Sequence, residues 1–202
     1  MNSRAIEFSI TTIVTLIIAI IIFSLSLNLI FRFFDEASEL EQEIDRQTRD
    51  QLMQALKSGN QLVLVPFAVQ ETKRGNFATF PLGVRNIGNE KQFQVLLGFS
   101  GAYNPDGSDL TQKNSQYIEQ NWIGNFKTGP PFRLKKGDSE VRPVSFKADV
   151  NTAQGIPTPK GDYVFNVCVF APEQPTAPPP CTPENRRLFY TEKVYQMTVR
   201  VV

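Results

Sequence analysis

Ala78-Thr79-Phe80-Pro81-Leu82-Gly83-Val84-Arg85-Asn86-Ile87-Gly88-Asn89-Glu90-Lys91-Gln92-Phe93-Gln94-Val95-Leu96-Leu97-Gly98-Phe99 contains two runs of period two with a turn between them. Ala78, Phe80, Leu82 and Val84 fall on one face of an extended chain, and so do Phe93, Val95, Leu97 and Phe99. Successive side chains of a strand point to opposite faces, so each run offers one apolar face to a core. Gln92, Gln94 and Gly98 occupy the other face, and Asn86-Ile87-Gly88-Asn89 carries the turn chemistry.

The pattern repeats outward. Val144, Phe146, Ala148 and Val150 alternate, then Tyr163, Phe165, Val167 and Val169, then Tyr195, Met197, Val199 and Val201. On the N-terminal side, Leu62–Val69 is a β-rich run that Pro66 confines to a sheet edge. Tyr117–Phe126 reads as a shorter strand. About seven strands separated by turns predict an antiparallel β-sandwich over residues 59–202.

The segment before it has a different period. From Phe8 to Phe31 there are 24 consecutive uncharged residues. As a helix they would span roughly 36 Å, enough for a hydrocarbon core of about 30 Å. The run is longer than a secretory signal core and ends in Phe31-Arg32-Phe33-Phe34, which favours a retained anchor. The expected organisation is a tail at 1–7, a transmembrane helix at 8–34, a helical stalk at 35–58 and the sandwich at 59–202. Residues 35–57 hold seven acids, three bases and no Pro or Gly, whereas 58–202 carry 16 bases and 12 acids. Gly59 is either a helix stop or a hinge. Within the apolar span, Asn28 either reaches the membrane edge beside Arg32 or joins Ser24 in a helix–helix contact.

Composition removes most catalytic classes. The 202 residues include no His, so there is no Ser-His-Asp triad, Cys-His dyad or His metal ligand. Two cysteines cannot make a Cys-only zinc site. A formal net charge of +1 gives no general attraction to nucleic acid. Asp106 and Asp109 lie in a turn-like loop that lacks the closing Glu of a calcium loop. No phosphate-cradling glycine loop or nucleophile elbow is present.

Cys168 falls in a predicted strand and Cys181 in the Pro-rich loop that follows. A disulfide between them would tie the loop back to the strand it leaves and would imply an oxidising compartment. The alternative is a buried free Cys168 with an unrelated Cys181. Tyr117, Trp122 and Phe126 form either an exposed aromatic patch or the cover of one end of the core. Lys135, Lys136, Arg142, Arg186 and Arg187 are basic residues of predicted turns.

Two resemblances bear on fold and role. Val84-Arg85-Asn86-Ile87-Gly88-Asn89 with its following strand resembles the B–C region of immunoglobulin-like modules of prokaryotic surface proteins. Leu134-Lys135-Lys136-Gly137-Asp138 resembles the turn before their fifth strand. Gly161-Asp162-Tyr163 resembles the start of their penultimate strand, where a tyrosine hydroxyl bonds back to the backbone. The layout of apolar helix, polar helix and β-rich head is also similar to that of type IV pilin-like proteins. There, Arg4-Ala5 resembles the basic-plus-small dipeptide at which archaeal prepilin-like signals are cut. The stator-like accessory proteins of the archaeal swimming filament share the layout, with a head that contacts the surface layer.

The expectation is a non-enzymatic surface protein with one membrane span and an immunoglobulin-like head outside the cytoplasm. A pilin-like filament subunit is the first reading, and a stator-like accessory or anchored binding module is the alternative. The expected partners are membrane lipid and other proteins, copies of itself included. No cofactor, metal, nucleic acid or small-molecule substrate is expected.

Overall fold

A computed structural model describes residues 14–21, 50–59, 61–110, 114–173 and 176–202, the side chains of 125 and 126 excepted. Arg4, Ala5, Ser24 and Asn28 lie outside the described residues, as do most of the expected span and stalk and the Phe126 side chain. The chain divides into two compact units, Met1–Thr48 and Arg49–Val202. In the first, residues 14–21 form a helix, α1. Among the described residues no helix is long and apolar enough to cross a membrane.

The second unit is a mainly β, two-sheet sandwich. Its strands are β1 (Val63–Leu64), β2 (Val69–Thr72), β3 (Phe77–Arg85), β4 (Lys91–Tyr103), β5 (Phe132–Leu134), β6 (Ser139–Lys147), β7 (Gly161–Phe170) and β8 (Tyr195–Val201). A three-stranded sheet has the order β1-β3-β6, and a five-stranded sheet the order β2-β8-β7-β4-β5. The alternating residues face each other between the sheets. Phe80, Leu82, Val84, Phe146, Phe165, Val167 and Met197 are buried there, and Phe146 stacks on Phe165 with centroids 4.2 Å apart. Face-to-face sheets bury the apolar half of every strand, which is why the period-two runs located the core.

Three expectations are corrected. The Leu62–Val69 run is not one strand. It divides around Pro66 into β1 and β2, which belong to different sheets. Proline cannot donate to a ladder, so the chain changes sheets where a donor is missing. The sandwich is also not wholly antiparallel, since β2 pairs with β8 in parallel, Val69 opposite Thr198. Residues of Tyr117–Phe126 are helical rather than extended: a turn of α-helix, α3 (Ser115–Ile118), runs into π-type and 3₁₀ turns. Asn114 caps α3, its Oδ1 accepting from the Tyr117 N–H at 3.0 Å. Ile118, Trp122 and Ile123 are the buried residues of these turns, a helical spacing.

The turns chosen on sequence are as expected. Asp138 N–H donates to the Lys135 carbonyl at 3.1 Å, with Gly137 at φ +88°. Tyr163 is buried and its hydroxyl donates to the Pro159 carbonyl at 3.0 Å. Burial pushes its phenol up to about 12.

Candidate functional site: the joint between helix and sandwich

The Arg85 end of β3 gathers side-chain hydrogen bonds from distant parts of the chain. A second helix, α2, covers residues 50–58 and contributes Leu52 and Leu56, four apart and both buried. Side chains four apart lie on one helix face. Leu56 rests on Gly83, where a Cβ would come 2.6 Å from Leu56 Cδ1. The outward-facing glycine of β3 therefore admits the helix against the outer surface of the three-stranded sheet.

A helix ends with carbonyls that lack intrahelical donors, and with a partial negative charge. Gly59 N–H closes the last turn onto the Ala55 carbonyl at 2.9 Å, and Ser58 Oγ donates to the Gln54 carbonyl at 2.7 Å. Arg85, two residues beyond Gly83 on the same strand face, supplies further donors. Its Nη1 donates to the carbonyls of Leu56 at 2.8 Å, Lys57 at 3.3 Å and Gly59 at 3.3 Å. Its backbone N–H donates to the Leu62 carbonyl at 2.8 Å. Gly59 thus ends the helix, and the last two turns of the expected stalk belong to the head.

Asn86 organises the other side of the joint. It is fully buried; its Nδ2 donates to the carbonyls of Asn89 at 2.8 Å and Leu134 at 2.9 Å, and its Oδ1 accepts from Gly88 N–H at 3.0 Å. Its backbone exchanges bonds with the β5–β6 turn, donating to Asp138 and accepting from Gly137. Tyr190 closes the arrangement: its hydroxyl donates to the Arg85 carbonyl at 3.0 Å, and its ring stands edge-on to Phe93 at 4.9 Å. Burial raises the Tyr190 phenol above its ordinary value, so the hydroxyl remains a donor at neutral pH.

Tyr190 arrives on the loop that the disulfide pins. Cys168 and Cys181 are bonded, with Cα atoms 5.7 Å apart. The loop packs on the outer face of the five-stranded sheet, where Leu96, Cys168, Phe170, Cys181 and Phe189 make a second small core. At Gly98 a Cβ would meet the Cys181 carbonyl oxygen at 2.9 Å. From Cys181 the chain makes a 3₁₀ turn (Pro183–Leu188), and Tyr190 N–H then bonds the Val169 carbonyl at 2.8 Å.

The other residues singled out on sequence do not meet in one place. Trp122 is buried against Tyr163 at 4.3 Å, so it covers the core and is not part of an exposed patch. Tyr117 is half-buried and donates to Asp149 Oδ2 at 2.6 Å, which raises its phenol above the ordinary value. Lys135 and Lys136 are exposed, while Arg142 lies over the Phe132 ring at 4.5 Å and pairs with Glu140 at 2.7 Å. Arg186 and Arg187 occupy the last turn of the 3₁₀ segment. Asp106 accepts from Ser108 in a local turn. Among the described residues no group of three or more His, Cys, Asp or Glu could hold a metal ion. A groove of about 670 Å³ beside the pinned loop is lined by Lys91, Gln92, Arg133, Phe170 and Glu173 among others.

The sequence reading missed Arg85, Gly83 and Tyr190 as a set. A signal for the first two was present: a glycine and an arginine at outward positions of a strand that is otherwise apolar on its inner face. Tyr190 lies beyond a Pro-rich loop, and no local pattern ties it to Arg85.

No protein-family model and no curated protein matches the chain. Among solved structures, a family 123 glycoside hydrolase from Clostridium perfringens matches at 10% identity and TM-score 0.38, over 66% of this chain and 22% of that one. The class 5 fimbriae chaperone CfaA matches at 13% identity and TM-score 0.34, over 69% of this chain and 56% of that one. A chain of a chaperone–tip adhesin complex from CFA/I fimbriae biogenesis matches at 11% identity and TM-score 0.34, over 69% and 55%. The chain spans between about a fifth and just over half of the length of these neighbours.

Proposed function

We propose that the chain is a non-enzymatic, membrane-anchored surface protein with an immunoglobulin-like head outside the cytoplasm, and first of all a pilin-like subunit of a surface filament. One observation carries the reading. In α1, Val14, Leu16, Ile17, Ile18, Ile20 and Ile21 are all 48–58% exposed. Consecutive positions point all round a helix, so these apolar side chains, with Thr15 and Ala19 between them, are spread around α1. Such a surface needs lipid or copies of itself as solvent. The uncharged run from Phe8 to Phe31 extends it in sequence to the length of a membrane span.

Two further observations agree with it. The disulfide fits an oxidising compartment outside the cytoplasm. The joint at Arg85 merges the end of the polar helix with the head, which suits a head that bears load or keeps a fixed attitude in an assembly.

The test is the intact mass of protein extracted from native membranes, with thiol alkylation before and after reduction, beside electron microscopy of the sheared surface fraction. A mass short by residues 1–5, thiols that react only after reduction, and filaments containing the chain are expected. A full-length mass with no filaments would move the reading to a stator-like accessory or anchored binding module. Thiols that react without reduction would overturn the topology.

A further inference from the structure

At the opposite end of β3 from the joint, the chain presents a different surface. Phe77 is 60% exposed, Val150 50% and Ile156 39%. Phe77 opens β3 at the end of the β2–β3 loop, and Val150 and Ile156 lie on the loop after β6; the two loops are knitted together. Gly75 N–H bonds the Ala148 carbonyl, Ala148 N–H returns to the Asn76 carbonyl, and Val150 Cγ2 would be 3.2 Å from a Cβ at Gly75. Thr152 N–H closes the turn by donating to the Ile156 carbonyl, and Thr158 N–H donates to the Val150 carbonyl. Three cations share these loops. Lys147 is the register partner of Phe77, and Lys73 and Arg74 form the turn that precedes it. Arg74 Nε is spent on the Thr158 carbonyl at 2.6 Å, which fixes the guanidinium to the second loop. Among the described residues none of the three makes an ion pair. Of the carboxylates nearest in sequence, Asp149 is engaged by the Tyr117 hydroxyl and the Val150 N–H, and Glu71 faces Arg200 at 3.9 Å.

We propose that this tip docks on an anionic lipid surface, the apolar side chains entering the headgroup region and Lys73, Arg74 and Lys147 meeting the phosphates. The charge and the apolar groups stand on the same two loops, as interfacial binding requires. None of the six side chains lines the grooves beside the pinned loop, beside β1 or beneath Tyr117. Exposed, singly spaced apolar groups suit a fluid interface, which moulds to them. A protein partner would have to supply a matching concave surface. The proposal does not rest on the anchored reading above.

The experiment uses the full-length chain, carried in phosphatidylcholine nanodiscs or, should it not embed, free in solution. It is mixed with separate vesicles of phosphatidylcholine or phosphatidylglycerol, and capture is read by co-flotation. Each cation near an anionic surface is worth about fivefold, so phosphatidylglycerol vesicles are expected to be captured roughly a hundredfold more tightly, with the excess lost in high salt. Lys73→Gln with Lys147→Gln should lower capture by roughly 25-fold, and Phe77→Ser by about tenfold, at unchanged melting temperature. Equal capture of both vesicle types overturns the proposal. So does capture that none of these variants moves. Binding of polyglutamate at the same residues without vesicle capture would assign the tip to an acidic protein instead, and would also overturn it.

Discussion

The outer faces of the two sheets are covered by different means. On the three-stranded sheet the cover is a helix, seated by a leucine on Gly83 and held at its end by Arg85. On the five-stranded sheet it is an irregular loop, seated by its backbone on Gly98 and held by a disulfide. A helix satisfies its own backbone and needs donors only at its end, so one arginine suffices. A Pro-rich loop has few internal bonds and loses much chain entropy on ordering, so a covalent tie is the effective remedy. The two covers meet where Tyr190, carried by the loop, bonds the carbonyl of Arg85.

Removing the covalent tie should have the largest effect. Cys168→Ala with Cys181→Ala opens a loop of 13-residue separation, and the expected loss is about 3 kcal/mol in urea denaturation. The comparison adds a more specific expectation. Without the tie Tyr190 is less well placed, so amide exchange in residues 54–59 should quicken as well as exchange in the loop itself. If exchange quickens in the loop alone, the two covers are independent.

Arg85→Met keeps the apolar stem and removes the donor to three carbonyls. Charge-assisted bonds are individually worth more than neutral ones, but Arg85 Nε is buried without a partner and offsets part of the gain. The expected loss is about 2 kcal/mol, concentrated in α2. Lysine at the same position should recover only part of it, because one ammonium cannot replace the fixed guanidinium fork. A change that leaves exchange in residues 54–59 untouched would mean that Leu52 and Leu56 alone seat the helix.

Legibility in the sequence followed the range of the interactions. The inner faces of β3, β4, β6, β7 and β8 were readable because a period of two is a local property of the chain. The Cys168–Cys181 pair was readable because both residues border one loop. The break at Pro66 was half readable: proline announced an edge, but nothing local said that the chain would change sheets and pair in parallel with β8. The Tyr117–Phe126 segment departs from the expected strand because a short apolar segment fits both periods, and the Asn114 cap decides between them. The joint was not readable as a site. Arg85 meets residues 28, 29 and 105 positions away, and only the packed sandwich brings these together.

The two seating glycines sharpen the comparison. Gly98→Ala would press on a carbonyl oxygen of a pinned backbone, whereas Gly83→Ala would press on the end of a leucine side chain. Backbone yields less readily than a rotamer, so the expected losses are about 2 kcal/mol at Gly98 and about 1 kcal/mol at Gly83. In the background lacking both cysteines the Gly98 penalty should shrink, since the loop is free to lift. Equal penalties in both backgrounds would show that the loop is seated by its apolar contacts rather than by the disulfide.

The smallest effect belongs to the part of the five-stranded sheet that the loop does not reach. There Arg200 holds Asp162 from the neighbouring strand, Nε to Oδ1 at 2.7 Å and Nη2 to Oδ2 at 2.9 Å. These bonds, and then the charge of Arg200, hold the Asp162 carboxyl below the usual carboxylate range. A carboxyl depressed in the native state stabilises it fully above the unfolded value near about 4. That contribution is lost as the pH falls through the lower native value. The pair is largely open to solvent, so the contribution is small and shrinks with salt. Asp162→Asn should therefore lower the urea midpoint slightly at neutral pH and low salt, and its curve should converge on that of the parent chain in acid. Curves that remain separated in acid would mean that the substitution acts through the sheet and not through the charge. That would leave this open half of the face dependent on its ladder alone, with no cover of either kind.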